Sequence, residues 1–211
     1  MSLLGRLTEK SWEHEGVDPT LDPALHRPSA AAVGLRVLFG VVTTLFGLVT
    51  MAYVMRMGTV AMEHGPVSDW RSMPDPPLLW INSAILLLSG LAWEAARAGA
   101  RIGRGLLLFA GVVAAGLLAL LFLAGQLALW AQYAARGYYA AANPSYSFFY
   151  LITGLHGLHL LGGLYFWGRM VSRLLAGADA GAVRATIDLC AAYWHFLLVI
   201  WLVMLGLLIS T

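Results

Sequence analysis

Residues 146–171 read YSFFYLITGLHGLHLLGGLYFWGRMV, and this stretch decides which fold class the chain belongs to. It is apolar enough to cross a lipid bilayer as a helix, yet His156 and His159 lie in its middle. Three residues apart on a helix, the two imidazoles project from nearly the same face. Ionisable groups at membrane depth are costly, so they usually face protein or mark a functional site.

The composition of the whole chain indicates a membrane protein. Of its 211 residues, 60% are hydrophobic and 11% are charged, whereas soluble domains average about 25% charged residues. The 13 basic residues are scattered, which argues against a nucleic-acid-binding surface. Cys190, the single cysteine, cannot form an intrachain disulfide and is predicted to be a packing residue. The sequence has no Cys-x-x-Cys-His motif, so covalent haem attachment is excluded.

Five apolar segments are each near or above the ~20 residues that a helix needs to cross the hydrocarbon. We predict an all-α integral membrane protein, because a backbone exposed to lipid must bond to itself. The predicted transmembrane helices cover residues 35–56, 78–98, 105–133, 146–171 and 188–209. Residues 1–34 are polar and of mixed charge, and they are predicted to form a cytoplasmic N-terminal arm ahead of a membrane domain at 35–211.

The basic residues predict the orientation of these helices. With a cytoplasmic N-terminus, ten of the 13 basic residues lie on the cytoplasmic side, and only Arg56, Arg71 and Arg136 lie outside. Cytoplasmic loops carry an excess of Lys and Arg. The sequence therefore predicts a cytoplasmic N-terminus and an external C-terminus.

Few polar side chains lie inside the predicted helices, and Asn82 and Glu94 of the second helix are among them. Hydrogen bonds between helices explain most such residues and contribute roughly 0.6–2 kcal/mol each. Glu94 precedes Arg97 by three residues, near the predicted cytoplasmic end. An interfacial ion pair is the favoured interpretation of Glu94, and a proton-loading role is the alternative.

Three interpretations of His156, His159 and His195 stay open. Imidazole binds metals and haem iron, and His195 of the fifth helix could meet the other two. Small residues let helix backbones approach closely in lipid. Those around the histidine pair are Gly154, Gly157, Gly162 and Gly163. A packing face with hydrogen-bonding histidines is therefore favoured over a metal or haem site and over a proton relay.

Three of the predicted helices resemble one known family. SFFYLITGLHGLHLLGGLYF, with its His-Gly-Leu-His, closely resembles the penultimate helix of subunit III of haem–copper terminal oxidases. AAYWHFLLVIWLVMLGLL is similar to the last helix of that family, through Trp194, His195, Phe196 and Trp201. PPLLWINSAILLLSGLAWEAAR also resembles a family segment. The resemblance runs from about residue 35 to the C-terminus and indicates the short, five-helix form of the cytochrome c oxidase subunit III family.

This resemblance implies a non-catalytic subunit that holds no haem or metal of its own. Family members pack against a catalytic subunit, bind phospholipid in a cleft, and support sustained turnover and proton uptake. The implied partners are the catalytic subunit I and subunit II, with a small subunit IV as a further candidate, and haem and copper are expected in these partner subunits. The implied location is the inner membrane of a bacterial-type cell.

The family resemblance and the polar side chains inside the predicted helices together suggest roles for individual residues. The expected structural, interhelical polar residues are His156, His159, His195, Asn82 and Glu94. Long basic and aromatic side chains at the predicted cytoplasmic ends can reach lipid phosphates while their stems stay in hydrocarbon. The residues selected as phospholipid contacts on this ground are Arg97, Arg101, Arg169 and Trp167. No catalytic residue is predicted.

Two departures from the family pattern keep alternatives open. The first helix has Val42, Thr43 and Thr44 where many members carry a membrane-embedded glutamate, and Leu198 stands where many have an aspartate. Without these acids, an accessory subunit of a nitric oxide reductase is a second hypothesis. A free-standing haem b protein that uses His195 with His156 or His159 is a third.

Overall fold

The computed structural model describes residues 29–63, 70–71, 73–177 and 180–210. Within these residues the chain forms five long α-helices, which are α1 (Ala30–Glu63), α2 (Pro77–Arg101), α3 (Gly105–Ala135), α4 (Pro144–Leu175) and α5 (Ala180–Ile209). All five are long and apolar enough to cross a membrane. The prediction of an all-helical protein with five membrane-spanning helices is thereby confirmed. Residues 1–28 of the predicted N-terminal arm lie outside the described residues.

The ends of the helices have local causes. At the start of α4, the Ser145 N–H donates a hydrogen bond of 3.0 Å to Asn143 Oδ1, and Pro144 occupies the first helical position, where no N–H is needed. Just beyond α3, Gly137 has a φ of 84°. Only glycine adopts this left-handed conformation without strain. The α3 helix therefore ends at Ala135, two residues before Gly137, and the chain turns into the short 3-10 helix Ala140–Ala142 that precedes α4.

The chain divides into two compact units, Met1–Val37 and Leu38–Thr211. In the first unit only residues 29–37 are described. There the Ala32 N–H donates a hydrogen bond of 3.2 Å to Ser29 Oγ at the start of α1. The second unit holds the rest of α1 together with α2, α3, α4 and α5, and every contact described below lies within it.

Among the described residues of the second unit, α2 and α3 share the most extensive contact of any two helices. A Cβ atom added to Gly111 of α3 would lie 2.6 Å from the backbone nitrogen of Ala96 in α2. A Cβ atom added to Gly99 of α2 would lie 2.5 Å from the backbone nitrogen of Leu108 in α3. Both positions therefore require glycine, because the backbones of the two helices almost touch there.

Two tryptophan–serine hydrogen bonds attach α5 to α2. Trp194 Nε1 donates to Ser89 Oγ at 3.1 Å, and Ser89 Oγ donates in turn to the Ala115 carbonyl of α3 at 2.7 Å. Two turns further along α5, Trp201 Nε1 donates to Ser83 Oγ at 3.0 Å. Polar bonds of this kind stabilise helix association in lipid, where there is no hydrophobic driving force between helices.

The α1 helix contacts α4 and α5 through large aromatic side chains. Phe46 and Tyr53 are buried in a cluster with Ile152 of α4 and with Ile200 of α5. Closer to the start of α1, Phe39 stacks on Phe196 of α5 with a ring-centroid distance of 4.3 Å. The opposite face of α1 is exposed and apolar, as in Val41, Leu48 and Met55.

Candidate functional site

Two separate groups of polar side chains lie between the helices. Asn82, Gln126 and His156 are buried between α2, α3, α4 and α5, and we call them the buried polar layer. Glu94, Arg97, Asp188 and His195 are only partly buried, and their side chains contact one another between α2 and α5. We call these four the charged network.

In the buried polar layer, Asn82 joins α2 to α3. Its Nδ2 donates hydrogen bonds to the Phe122 carbonyl at 3.0 Å and to Gln126 Oε1 at 3.3 Å. The Asn82 amide also fills the space beside Gly125, where a Cβ atom would collide with it. Asn82 Oδ1 and Gln126 Nε2 are buried and have no hydrogen-bond partner within the described part of the chain. Asn82 therefore acts as a polar link between two helices.

His156 is fully buried among aromatic rings. Its imidazole lies 5.7 Å from the Phe122 ring of α3 and 5.0 Å from the Trp201 ring of α5, measured between centroids. Neither ring nitrogen has a hydrogen-bond partner among the described residues. Such a low-dielectric pocket strongly disfavours a charged imidazole, so this environment suits a neutral packing side chain.

His159 faces a different helix from His156. Its Nδ1 lies 2.8 Å from the Leu155 carbonyl of its own helix, and its ring contacts Phe46 of α1 at 5.6 Å between centroids. Tyr193 of α5 donates a hydrogen bond of 2.8 Å to the His159 backbone carbonyl. The two histidines of the His-Gly-Leu-His motif thus have separate neighbours.

The glycines around the histidine pair lie against rings from neighbouring helices. A Cβ atom at Gly163 would lie 2.8 Å from the Tyr193 ring and 2.9 Å from the Trp194 ring of α5. At Gly154, the added atom would meet the Trp130 ring of α3 at 3.5 Å. Gly163 therefore lets α4 approach the rings of α5 closely, whereas the contact at Gly154 would also accommodate a Cβ atom.

In the charged network, Arg97 bridges two carboxylates from different helices. Its Nη1 donates to Glu94 Oε1 at 2.9 Å within α2, and its Nε donates to Asp188 Oδ1 at 2.9 Å in α5. His195 Nε2 lies 3.5 Å from the same Glu94 oxygen. His195 Nδ1 lies 2.6 Å from the Ala191 carbonyl oxygen. Because a carbonyl oxygen can only accept a hydrogen bond, we assign a hydrogen to Nδ1, and this N–H is the donor.

The four residues selected as phospholipid contacts fall into two groups. Arg97 is engaged with Glu94 and Asp188, and Trp167 Nε1 donates to the Val112 carbonyl of α3 at 2.7 Å. The polar groups of these two side chains are therefore used inside the protein. Arg101 and Arg169 are exposed near the ends of α2 and α4, where a guanidinium can reach a phosphate.

The three histidines singled out by the sequence do not converge in the structure. His156 faces α3 and α5, His159 faces α1, and His195 faces Glu94 of α2. In the described part of the chain, no group of three or more His, Cys, Asp or Glu side chains is arranged to hold a metal ion. These positions favour the packing interpretation of the histidines.

Sequence reasoning missed how Asp188 and His195 join the ion pair of Glu94 and Arg97. The signal was present, because residues seven apart on a helix share a face, and Asp188 and His195 are the polar residues at that spacing on α5. Predicting this contact from the sequence would have required knowing that α5 lies beside α2.

Comparisons with known proteins show which sequences this chain is similar to. The family model described as "Cytochrome c oxidase subunit III" matches residues 34–209. The cytochrome c oxidase subunit 3 of Thermostichus vulcanus is 27% identical over 199 residues, which are 93% of this chain and 94% of that protein. The subunit 3 of Synechocystis sp. is 32% identical over 59% of this chain and 52% of its own length. That of Cyanidium caldarium is 32% identical over 58% of this chain and 44% of its own length.

Proposed function

This chain belongs to the cytochrome c oxidase subunit III family, and we propose that it is the non-catalytic subunit III of a proton-translocating haem–copper respiratory oxidase. Its multi-pass helical structure agrees with that role. The main support is the family match, which extends from the first membrane-spanning helix to the last. The relatives that are compared with it carry the name of the same oxidase subunit.

The proposed role is structural support of the catalytic subunit, with no redox centre in this chain. The positions of the three histidines favour this proposal, because each faces a different helix and none is directed at a shared centre. Haem and copper belong to the partner subunits I and II in this proposal, and a small subunit IV is a further partner. Oxygen reduction would take place entirely in those partners.

The proposed topology has the N-terminus in the cytoplasm and the C-terminus outside, in a bacterial-type inner membrane. It rests on the distribution of the basic residues, ten against three. Phospholipid binding at the cytoplasmic end is part of the same proposal. Arg101 and Arg169 are the best placed of the selected residues, since both guanidinium groups are exposed.

Purification of a tagged copy in mild detergent tests the proposal. We expect a haem–copper catalytic subunit to accompany the chain and to be visible in the haem absorption spectrum. Recovery of a nitric oxide reductase catalytic subunit instead would support the second hypothesis. A haem spectrum from the isolated chain that disappears in His195→Ala would overturn the assignment of no redox centre.

Deletion of the gene tests the supporting role. Initial oxygen reduction should be largely retained, because the reaction centre lies in another subunit, while the time to inactivation during turnover should shorten. The measurement is oxygen consumption followed over many turnovers in membranes. Immediate and complete loss of turnover with the partner subunits still assembled would contradict a supporting role.

A further inference from the structure

One outer face of the molecule combines apolar side chains with the charged network. This α2–α5 face is formed by Leu87, Leu91, Glu94 and Ala98 of α2 and by Asp188, Ala192, His195 and Val199 of α5. Leu91 and Val199 are more than half exposed, at 58% and 57%. Ala98 and Ala192 are exposed beside the network. The face therefore presents small and apolar residues on either side of a few charges.

The charged network leaves hydrogen-bonding capacity on its two carboxylates. Glu94 and Asp188 supply two carboxylates, and Arg97 is the one guanidinium that contacts them among the described residues. The carboxylate side chains are 45% and 42% exposed. Within the described part of the chain, each carboxylate accepts from Arg97 through one oxygen, and its second oxygen has no hydrogen-bond partner. The second oxygen of each carboxylate is therefore available to accept a hydrogen bond from a further donor.

Centred on the hydrocarbon core, α2 would place Glu94 below the level of the lipid headgroups. The α2 helix has 25 residues, so it is roughly 37 Å long and exceeds the ~30 Å hydrocarbon core by only a few ångströms at each end. Glu94 precedes the last residue of α2, Arg101, by about two turns, which is roughly 10 Å along the helix axis. A negative charge exposed to hydrocarbon at this depth is costly unless a neighbouring group compensates it.

The features of this face identify the kind of group that would cover it. A lipid acyl chain would match Leu91 and Val199 but offers nothing to a carboxylate, and a lipid amine stays at the headgroup level. A transmembrane helix can supply both an apolar surface and a charge at one depth. The small side chains of Ala98 and Ala192 would let its backbone come close.

We propose that the α2–α5 face is the docking surface for a transmembrane helix of a neighbouring subunit, which places a lysine or arginine side chain against Glu94 and Asp188. The identity of that subunit as part of a haem–copper oxidase rests on the proposed function. Charge complementarity would fix the depth at which the two helices meet, because the cation can reach both carboxylates in only one register.

The test uses the tagged full-length chain, expressed with its natural partners and purified from membranes in mild detergent. Glu94→Gln/Asp188→Asn removes the charges but keeps the size of both side chains. Ala192→Trp obstructs the face and leaves every member of the charged network in place. The matched controls are Asp75→Asn, which changes an exposed carboxylate ahead of α2, and Ala110→Trp, which adds the same bulk to an exposed alanine of α3.

We expect both face variants to recover at least tenfold less catalytic subunit per tagged chain than the wild type does. Both controls should recover wild-type amounts. Circular dichroism and thermal unfolding of each purified variant establish that the chain itself is folded. If the double variant fails to fold, Ala192→Trp decides the question.

The outcomes separate this proposal from the proposed function. A wild-type chain that brings no haem–copper subunit overturns the function. If it brings a different membrane subunit that the face variants lose, the docking surface stands with another partner. Face variants that recover as much catalytic subunit as the wild type overturn the docking surface. So does a loss of co-purified phosphatidylethanolamine without loss of the catalytic subunit, since the face would then bind a lipid amine.

Discussion

The α2–α3 pair and the α1 helix are held in place by different means. Between α2 and α3 the backbones meet at Gly99 and Gly111, and Ser89 makes a buried hydrogen bond across the pair. In α1, Gly40 and Gly47 have no other atom within reach of an added Cβ. Of the most apolar stretch in each helix, 39% is buried for α2 and for α3 but only 17% for α1.

The difference shows what holds helices together in lipid. Hydrocarbon is as apolar as leucine, so burial of an apolar surface alone gives little driving force between helices. Close packing and hydrogen bonds between helices are the remaining sources of stability. The α2–α3 pair has both. The α1 helix contacts its neighbours through the rings of Phe39, Phe46 and Tyr53 and through a longer contact of 3.9 Å between Thr50 Oγ1 and Met204 Sδ of α5. We therefore expect the α2–α3 pair to determine global stability and α1 to loosen by itself.

The largest effect should come from filling the glycine contact of the tight pair. Gly111→Val would place side-chain atoms against the Ala96 backbone, and we expect it to lower the free energy of unfolding by about 3 kcal/mol, the upper end of the usual cost of overpacking. The measurement is unfolding by added SDS in mixed micelles, followed by circular dichroism. Gly47→Val in α1 is the matched control and should cost little. Equal losses in the two variants would remove the distinction between the two regions.

A smaller effect should follow from the loss of one polar bond. Ser89→Ala leaves the Trp194 N–H and the Ala115 carbonyl without their shared partner, so the free energy of unfolding should fall by about 1–2 kcal/mol. The same unfolding assay measures it. Thr44→Val in α1 is the control, because the Thr44 hydroxyl donates to the Gly40 carbonyl of its own helix. If Ser89→Ala leaves the free energy of unfolding unchanged, packing alone holds the pair together.

A local effect is expected at α1. Phe46→Leu removes the ring contact with His159, and such aromatic contacts contribute about 1 kcal/mol. Hydrogen exchange should become faster in α1, while exchange in α2 and α3 stays unchanged. Mass spectrometry of peptides from the exchanged protein reads both regions at once. Faster exchange throughout the chain would show that α1 is part of the same cooperative unit as α2 and α3.

The smallest effect is expected on the exposed face of α1. Leu48 is 66% exposed, so Leu48→Ala should change the free energy of unfolding by less than about 0.5 kcal/mol. The SDS unfolding assay applies here as well. A loss above about 1 kcal/mol would indicate that this face is packed against protein rather than lipid.

The five helices were predictable from the sequence because length and apolar composition alone decide whether a segment can span the hydrocarbon. The surroundings of His156 and His159 were not predictable. Residues three apart on a helix differ by roughly 60° around its axis, which is enough for His156 to face the core and His159 to face α1. The contact of Asp188 with Arg97 was missed for a related reason, since it depends on which helices are neighbours.

The two tryptophan–serine bonds also fix how far α5 can slide along α2. Trp194 and Trp201 meet Ser89 and Ser83 at the same time. A displacement of α5 by one turn in either direction would bring Trp194 opposite residues such as Leu86 or Trp93, which offer no hydroxyl. Both bonds would then be lost together. The two hydroxyls thus favour a single register of α5 along α2, because only that register forms both hydrogen bonds.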